Sequence, residues 1–204
     1  MTEESIDVTP RRQPVQARSR ERVESILRHA AAIFHEVGVD ATSMSAIARQ
    51  SGMSLASLYR YFPNKTAIVK AIAEDHVSRM ESALRDRLET LDLMDAVDVL
   101  IDQFYEFYRT EPAYSAIWSG VESIPELREL DIRELYSHAR DMDARLKREC
   151  PHVPENRRWT ACLMLPRTAG TVLRLAATLP EQQARSMVSE LKSMARAYLA
   201  ELVR

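Results

Sequence analysis

The sequence contains little glycine and little cysteine. Among its 204 residues there are four glycines and two cysteines, Cys150 and Cys162. Two cysteines cannot build a disulfide framework. The scarcity of glycine, together with abundant Ala, Leu, Arg and Glu, favours helix along the whole chain. Because no long segment alternates β-branched and polar residues, we expect no sheet. The fold class predicted from these features is all-α, with about nine helices.

The sequence lacks a recognisable metal motif. Cys150, His152 and Cys162 offer three ligands, but their spacing matches no common zinc pattern and a fourth ligand is missing. We interpret both thiols as buried or idle. No metal and no cofactor is predicted.

Long hydrophobic runs and enzyme signatures are also missing. No apolar run reaches the roughly 18 residues of a membrane span, and the polar, acidic N-terminus does not resemble a signal peptide. The chain has no Gly-rich phosphate loop, no nucleophile elbow and no zinc-binding pair of histidines at helical spacing. His29 and His35 lie six residues apart, on different faces of a predicted helix. We therefore expect a cytoplasmic protein with no membrane partner and no enzymatic activity.

Charge is distributed unevenly along the chain. The net charge is −2, but residues 9–70 carry ten Lys and Arg residues against four acids. The first eight residues hold three acids, so the chain after residue 70 carries a net charge of −5. A basic end on an acidic body is typical of a protein that places one end on phosphate groups, although ordinary surface charge also produces such a difference.

Three short helices are predicted in the basic part. The first runs from near Ser19 to Gly38, with an apolar stripe along one face. A second helix covers 43–50, and Gly52 ends it by adopting a left-handed backbone. Ser54 then caps a third helix, 55–62, which Pro63 terminates. Two short helices joined by a tight turn form a helix-turn-helix, whose second helix enters the DNA major groove.

The motif is more specific than its helical pattern. The strings Gly52-Met53-Ser54 and Leu58-Tyr59-Arg60-Tyr61-Phe62-Pro63-Asn64-Lys65 closely resemble the signature of TetR-family transcriptional repressors. Thr42 and Ile47-Ala48 also stand where that family has Thr and Ile-Ala. The resemblance covers about residues 18–75, and it implies a DNA-binding head followed by a domain that binds an effector and dimerises.

The resemblance implies DNA contacts residue by residue. Four positions of the third helix would face bases: Leu55, Ala56, Ser57 and Arg60. Six residues would hold phosphates: Thr42, Ser43, Ser54, Tyr59, Tyr61 and Lys65. Where the family often has Lys and Gly early in this helix, the chain has Leu55 and Ala56, which favours an apolar contact with a thymine methyl group.

The remaining sequence predicts six further helices. Their expected bounds are 65 to about 90, 95–110, 112–120, 125–150, 154–178 and 180–203, with a kink or break at Pro166. Aromatic and Met side chains offer apolar walls for a ligand cavity, but the same side chains at helical spacing also fit a protein core. The candidate ligand-binding residues are Phe104, Tyr108, Tyr114, Trp118, His138, Met142 and Arg167.

We predict three segments with different roles: a flexible basic arm over 1–17, a helix-turn-helix DNA-binding domain over 18–65, and an effector-binding and dimerisation domain over 66–204. The expected protein is a homodimeric repressor that binds a double-stranded, inverted-repeat operator. A small hydrophobic effector of unknown identity would release it. The alternative is a helical dimeric adaptor of the same fold that acts through a protein partner.

Overall fold

The computed structural model of the chain describes residues 17–88, 91–111, 113–118 and 124–204. Within these ranges the regular structure consists of nine α-helices and no strand, which confirms the predicted all-α fold. The helices are α1 Ala17–Ala41, α2 Met44–Gln50, α3 Leu55–Tyr59, α4 Lys65–Leu88, α5 Leu93–Thr110, α6 Tyr114–Trp118, α7 Pro125–Glu149, α8 Glu155–Ala176 and α9 Glu181–Leu202. The predicted basic arm, apart from its last residue, lies outside the described residues.

The chain divides into two compact units. The first comprises Met1–Val77 and Pro112–Arg128, and the second comprises Ser78–Glu111 and Glu129–Arg204. These units do not coincide with the predicted segments, because the first part of α4 and all of α6 belong with the helix-turn-helix. The assignment of DNA binding to 18–65 and of effector binding to 66–204 therefore remains a prediction about function.

The first unit is built on the apolar stripe of α1. Helix α1 packs against α2 and α6, and α2 packs against α3. Burial of apolar side chains at helical spacing stabilises these helices, of which α2, α3 and α6 are so short that they would be marginal on their own. The core side chains of these helices and of early α4 include Ile26, Ala30, Phe34, Ile47, Ala48, Leu58, Phe62, Ala67, Ile68 and Ile72.

In the second unit α5, α8 and α9 pack against one another. Their buried residues recur at helical spacing and form one core with part of α7. The buried guanidinium of Arg158 is compensated by Asp143, whose Oδ1 accepts a hydrogen bond of 2.6 Å from Nε. That hydrogen bond raises the pKa of Arg158 further.

Several helices differ in detail from the sequence prediction, and three of the differences concern α1, α3 and α8. Helix α1 extends to Ala41, although Gly38 interrupts it with a left-handed φ of 83°. Helix α3 ends at Tyr59 rather than at Phe62, because the amides of Arg60 and Tyr61 bond three residues back and tighten the last turn. Helix α8 continues through Pro166, so the chain does not break there, and the kink predicted as the alternative stays a prediction.

None of the helices in the described ranges is long and apolar enough to cross a membrane.

Candidate nucleic-acid interface

Helix α2 is closed at both ends by local hydrogen bonds. The Oγ of Ser43 accepts a bond of 3.1 Å from the amide of Ala46, as an N-cap does. At the other end Gly52 has φ of 64°, and its amide bonds the carbonyl of Arg49 while that of Met53 bonds Ala48. This pair of bonds is a Schellman motif, which glycine favours. The tight turn into α3 therefore has the predicted cause.

A chain of hydroxyl groups organises α3. The Oγ of Ser54 accepts a 3.2 Å bond from the amide of Ser57 and donates a 2.9 Å bond to the Oγ of Ser57. The same Ser57 oxygen accepts a 3.1 Å bond from Nη2 of Arg60. The guanidinium is thereby held along the surface of the helix. The capping role of Ser54 is predictable from the sequence, whereas its connection to Arg60 is not.

Helix α3 has one buried side and one exposed side. Leu58 is completely buried, and Phe62, just past the end of the helix, is nearly so. The side chains of Leu55, Tyr59 and Arg60 are exposed. Small and polar groups share this surface with one guanidinium, a combination that suits contacts with base edges. The outer face contains the residues predicted to read bases: Leu55, Ala56 and Arg60 are exposed and Ser57 is half-buried.

Two of the predicted phosphate contacts have internal roles in the structure. Thr42 is buried, and its hydroxyl donates a 2.7 Å bond to the carbonyl of Gly38. Lys65 donates to the carbonyl oxygens of Val39, Asp40 and Thr42 at 2.6, 3.1 and 2.9 Å. An ammonium group has three N–H donors, so these carbonyls use all of them. Both side chains hold the segment after Gly38 in place, and their contact with phosphate stays a prediction.

The other predicted phosphate contacts are placed at or near the surface. Ser43, Ser54 and Tyr59 are exposed, and Tyr61 is half-buried. Ser43 and Ser54 lie at the starts of α2 and α3, where backbone amides point outward and favour an anion. Their role in binding phosphate remains a prediction.

The predicted ligand residues are divided between the two units. Tyr114 and Trp118 belong to the first unit, where both are buried. The indole Nε1 of Trp118 lies 3.4 Å from Nδ1 of the buried His76, and the ring of Tyr114 stacks on that of Trp118 at 5.9 Å. These two aromatic residues are therefore core residues of the first unit.

The other five candidates belong to the second unit. Phe104 and Tyr108 meet edge to face at 5.9 Å and pack, with Met142, against the core. Arg167 donates a 2.6 Å bond to the carboxylate of Asp131. His138 faces Glu81 from another helix. Whether these side chains line a ligand cavity stays a prediction.

A separate surface groove of about 380 Å³ lies between α5 and α9. Charged side chains such as Asp102, Arg109 and Lys192 line it, and none of the predicted ligand residues does.

The two thiols differ in exposure, and the pKa of each is raised. Cys162 is completely buried, and burial raises its pKa to about 11. Cys150 is partly exposed, and burial raises its pKa as well. Among the described residues, the cysteines do not join His152 in a group that could hold a metal ion.

Comparison with family models agrees with this geometry. Residues 26–72, which contain the helix-turn-helix, match the family described as bacterial regulatory proteins, tetR family. Residues 91–203 match the family described as tetracyclin repressor-like, C-terminal domain.

The similarity to individual proteins covers shorter parts of the chain at moderate sequence identity. Nucleoid occlusion factor SlmA of Mannheimia succiniciproducens is 29% identical over 126 residues, which make up 59% of this chain and 58% of that protein. The uncharacterized HTH-type transcriptional regulator YvdT of Bacillus subtilis is 32% identical over 85 residues, 41% of this chain and 44% of that protein. The chain thus spans about half the length of the curated relatives that it matches.

A solved structure extends the similarity over most of the chain. The TetR-family transcriptional regulator from Streptomyces coelicolor aligns with a TM-score of 0.67 and 25% identity, covering 89% of this chain and 99% of that one. One family model accounts for the helix-turn-helix and another for more than half of the chain. The chain therefore belongs to the TetR family of bacterial transcriptional regulators.

Proposed function

We propose that this TetR-family regulator is a homodimeric repressor, which binds an inverted-repeat operator and is released by a small hydrophobic effector. The observation that carries the proposal is the exposed outer face of α3, whose inner face is anchored by Leu58 and whose N-terminus is capped by Ser54. A short helix with an exposed face of small and polar groups suits insertion into a major groove.

Two side chains on this face suit direct reading of bases. The guanidinium of Arg60 can donate two hydrogen bonds to O6 and N7 of guanine, and Ser57 holds it near the helix. Leu55 is exposed and apolar at the start of α3. It suits contact with the methyl group of a thymine. The half-site is therefore expected to combine a guanine with a thymine.

Phosphate contacts would come from the hydroxyl groups around this face. Tyr59 and Tyr61 flank Arg60, and Ser43 lies at the start of α2. These groups fix the register of the helix on the duplex without reading sequence. Lys65 and Thr42 are left out of this contact set because their donors are engaged within the unit.

Dimerisation is proposed through α8 and α9. The side chains of Met164 and Leu175 on α8 and of Met194 on α9 are exposed although they are large and apolar. Association of two copies would remove such groups from water. A two-fold dimer would place two copies of α3 about 34–36 Å apart, which is one turn of B-DNA.

The effector is proposed to bind in the second unit. Phe104, Tyr108 and Met142 are partly buried there and offer apolar walls. A ligand can release the operator only if it binds the DNA-free conformation more tightly, and a coupling free energy of about 1–3 kcal/mol is typical.

Selection from a randomised duplex pool tests the proposal. The purified chain is expected to enrich an inverted repeat with half-sites about one turn apart, and light scattering is expected to give about twice the 23.3 kDa mass of one chain. The affinity for the enriched duplex is then measured at two salt concentrations, because phosphate contacts make binding depend on salt. A monomer that enriches no sequence contradicts the proposal.

The second candidate function is an adaptor that acts through a protein partner. It is favoured by the relative whose name is nucleoid occlusion factor rather than transcriptional regulator. The variant Arg60→Ala separates the two functions. A repressor loses discrimination among duplexes, whereas an adaptor keeps its partner bound whichever DNA is present.

A further inference from the structure

We propose that the second unit binds a divalent transition-metal ion through Glu81, Glu134 and His138. Glu81 lies on α4, and Glu134 and His138 lie on α7. Their ligand atoms all fall within 4.8 Å of one another. This site involves none of the residues assigned above to DNA contact, although His138 is also a candidate ligand-binding residue, so it stands independently of the proposed DNA binding.

The spacing along α7 directs two of the ligands to the same place. Glu134 and His138 are four residues apart, which puts their side chains on one face of the helix, one turn from each other. Glu81 approaches from α4, within the second unit. Two helices therefore contribute to one site, as in metal centres built between facing helices.

The separation of the ligand atoms of His138 and Glu81 fits a shared ion better than a direct hydrogen bond. Nε2 of His138 lies 3.8 Å from Oε1 of Glu81. A hydrogen bond between these groups requires about 2.7–3.2 Å. Two ligands bound about 2.1 Å from a tetrahedral ion lie about 3.4 Å apart. A small inward movement of either side chain would therefore bring this pair to the spacing of two ligands on one ion.

Charge also favours a cation at this position. Two carboxylates brought close together repel each other, and the repulsion is stronger away from bulk water. Arg133 donates a 3.1 Å hydrogen bond to Oε1 of Glu134. That guanidinium is more than half exposed, so solvent screens its charge. A divalent ion would balance both carboxylates directly.

The donor set limits the class of metal. One imidazole nitrogen with two carboxylate oxygens suits Zn²⁺, Fe²⁺, Ni²⁺ or Mn²⁺ better than Ca²⁺ or Mg²⁺, which prefer oxygen donors alone. The side chain of Glu134 is 18% exposed, and those of Glu81 and His138 are 37% and 38% exposed. Solvent or a small chelating molecule can therefore occupy the remaining coordination positions.

The test is calorimetric titration of the full chain with Zn²⁺, followed by titration with Co²⁺ monitored by visible absorption. Cys150→Ser is introduced into every protein so that the accessible thiol cannot compete. One ion per chain is expected, with a Co²⁺ spectrum that lacks thiolate charge transfer. Zn²⁺ should also raise Tm, since an ion that binds only the folded chain stabilises it.

Three variants address the ligands, and two serve as matched controls. Glu81→Gln, Glu134→Gln and His138→Gln keep the size of the side chain but remove a ligand or its charge. Each is expected to weaken Zn²⁺ binding at least tenfold, because loss even of groups that support metal ligands costs 10–100-fold. Glu129→Gln on α7 and His152→Gln are exposed controls and should bind as the parent does.

Several outcomes overturn the proposal. It fails if the chain binds no Zn²⁺, or if all three ligand variants bind within twofold of the parent. It also fails if His152→Gln abolishes binding while the ligand variants retain it. Circular dichroism of the metal-free variants identifies any that unfold, and the Co²⁺ spectrum of the remaining ones decides the assignment. None of these measurements uses DNA, so their failure leaves the repressor proposal untouched.

Discussion

The ammonium group of Lys65, the first residue of α4, donates a 2.6 Å hydrogen bond to the carbonyl oxygen of Val39, just past the glycine that interrupts α1. Two further carbonyls, those of Asp40 and Thr42, complete its set of acceptors. One side chain thus satisfies three backbone groups at the point where the chain leaves α1 and enters α2.

Replacing Lys65 with Met is expected to destabilise the chain. Hydrogen bonds to charged groups contribute about 1.5–3 kcal/mol. The free energy of unfolding should therefore fall by about 2–3 kcal/mol, as measured by urea denaturation. Lys147→Met on the exposed face of α7 is the matched control and should leave stability unchanged. A stable Lys65→Met protein with a smaller salt dependence of DNA binding would instead make Lys65 a phosphate contact.

Replacing Arg60 with Ala is expected to reduce both affinity and selectivity for the operator. Loss of one two-bond contact with guanine costs about 1–3 kcal/mol and relaxes preference at one position of each half-site. Fluorescence anisotropy with the selected duplex and its single-base variants measures both effects. Arg140→Ala, an exposed change on α7 in the second unit, should alter neither. A uniform loss across all duplexes would assign Arg60 to phosphate.

Replacing Ser54 with Ala removes the N-cap of α3. Such a cap contributes about 1 kcal/mol, so the free energy of unfolding should fall by about that amount. The matched control is Ser45→Ala, an exposed change inside α2, where Ala is the better helix former and no loss is expected. Equal stability of the two variants in urea denaturation would show that the Ser54 cap contributes little.

The two cysteines are expected to differ in reactivity. The thiolate is the reactive form of a cysteine. Cys162 is completely buried and its pKa is raised to about 11, so little of it is thiolate or accessible at pH 8. At pH 8 a thiol reagent should label the partly exposed Cys150 at least ten times faster. In urea both should react alike, and mass spectrometry identifies the labelled residue. Fast labelling of native Cys162 would mean that α8 opens readily.

The raised pKa of Cys162 also predicts how stability depends on pH. The folded chain holds this proton more tightly than the unfolded chain does. The protonated thiol therefore makes its full contribution to the stability of the folded chain at pH values below its ordinary pKa of 9.0. That contribution is lost as the pH rises through about 11. The parent should therefore lose more stability than Cys162→Ala between pH 9 and pH 11, and equal slopes would contradict the shift.

The helices could be predicted because their signals are local. Apolar side chains at helical spacing marked α1, and Ser54 and Gly52 marked the edges of the turn through hydrogen bonds that span only a few residues. The end of α3 at Tyr59 could not be predicted from such local signals, because it leaves Phe62 outside the helix. Phe62 is instead buried in the core of the first unit, and that burial depends on packing between elements.

The site residues were harder to predict because their environment is non-local. Lys65 donates a hydrogen bond to a carbonyl 26 residues away in sequence, and no sequence pattern near Lys65 predicts that partner. Tyr114 and Trp118 look like cavity residues in sequence, yet both lie against His76, which is 42 residues before Trp118. Glu81 on α4 and Glu134 on α7 are likewise so far apart in sequence that no local pattern predicts their proximity.

The hydrogen bond from Arg60 to Ser57 has a consequence for the entropy of recognition. A free arginine side chain carries about 2 kcal/mol of rotamer entropy, which it loses when a ligand immobilises it. Here part of that freedom is already lost when the chain folds, because the guanidinium rests on a hydroxyl that Ser54 also holds. Differences in affinity among operators would then reflect the bases themselves more than the ordering of the side chain that reads them.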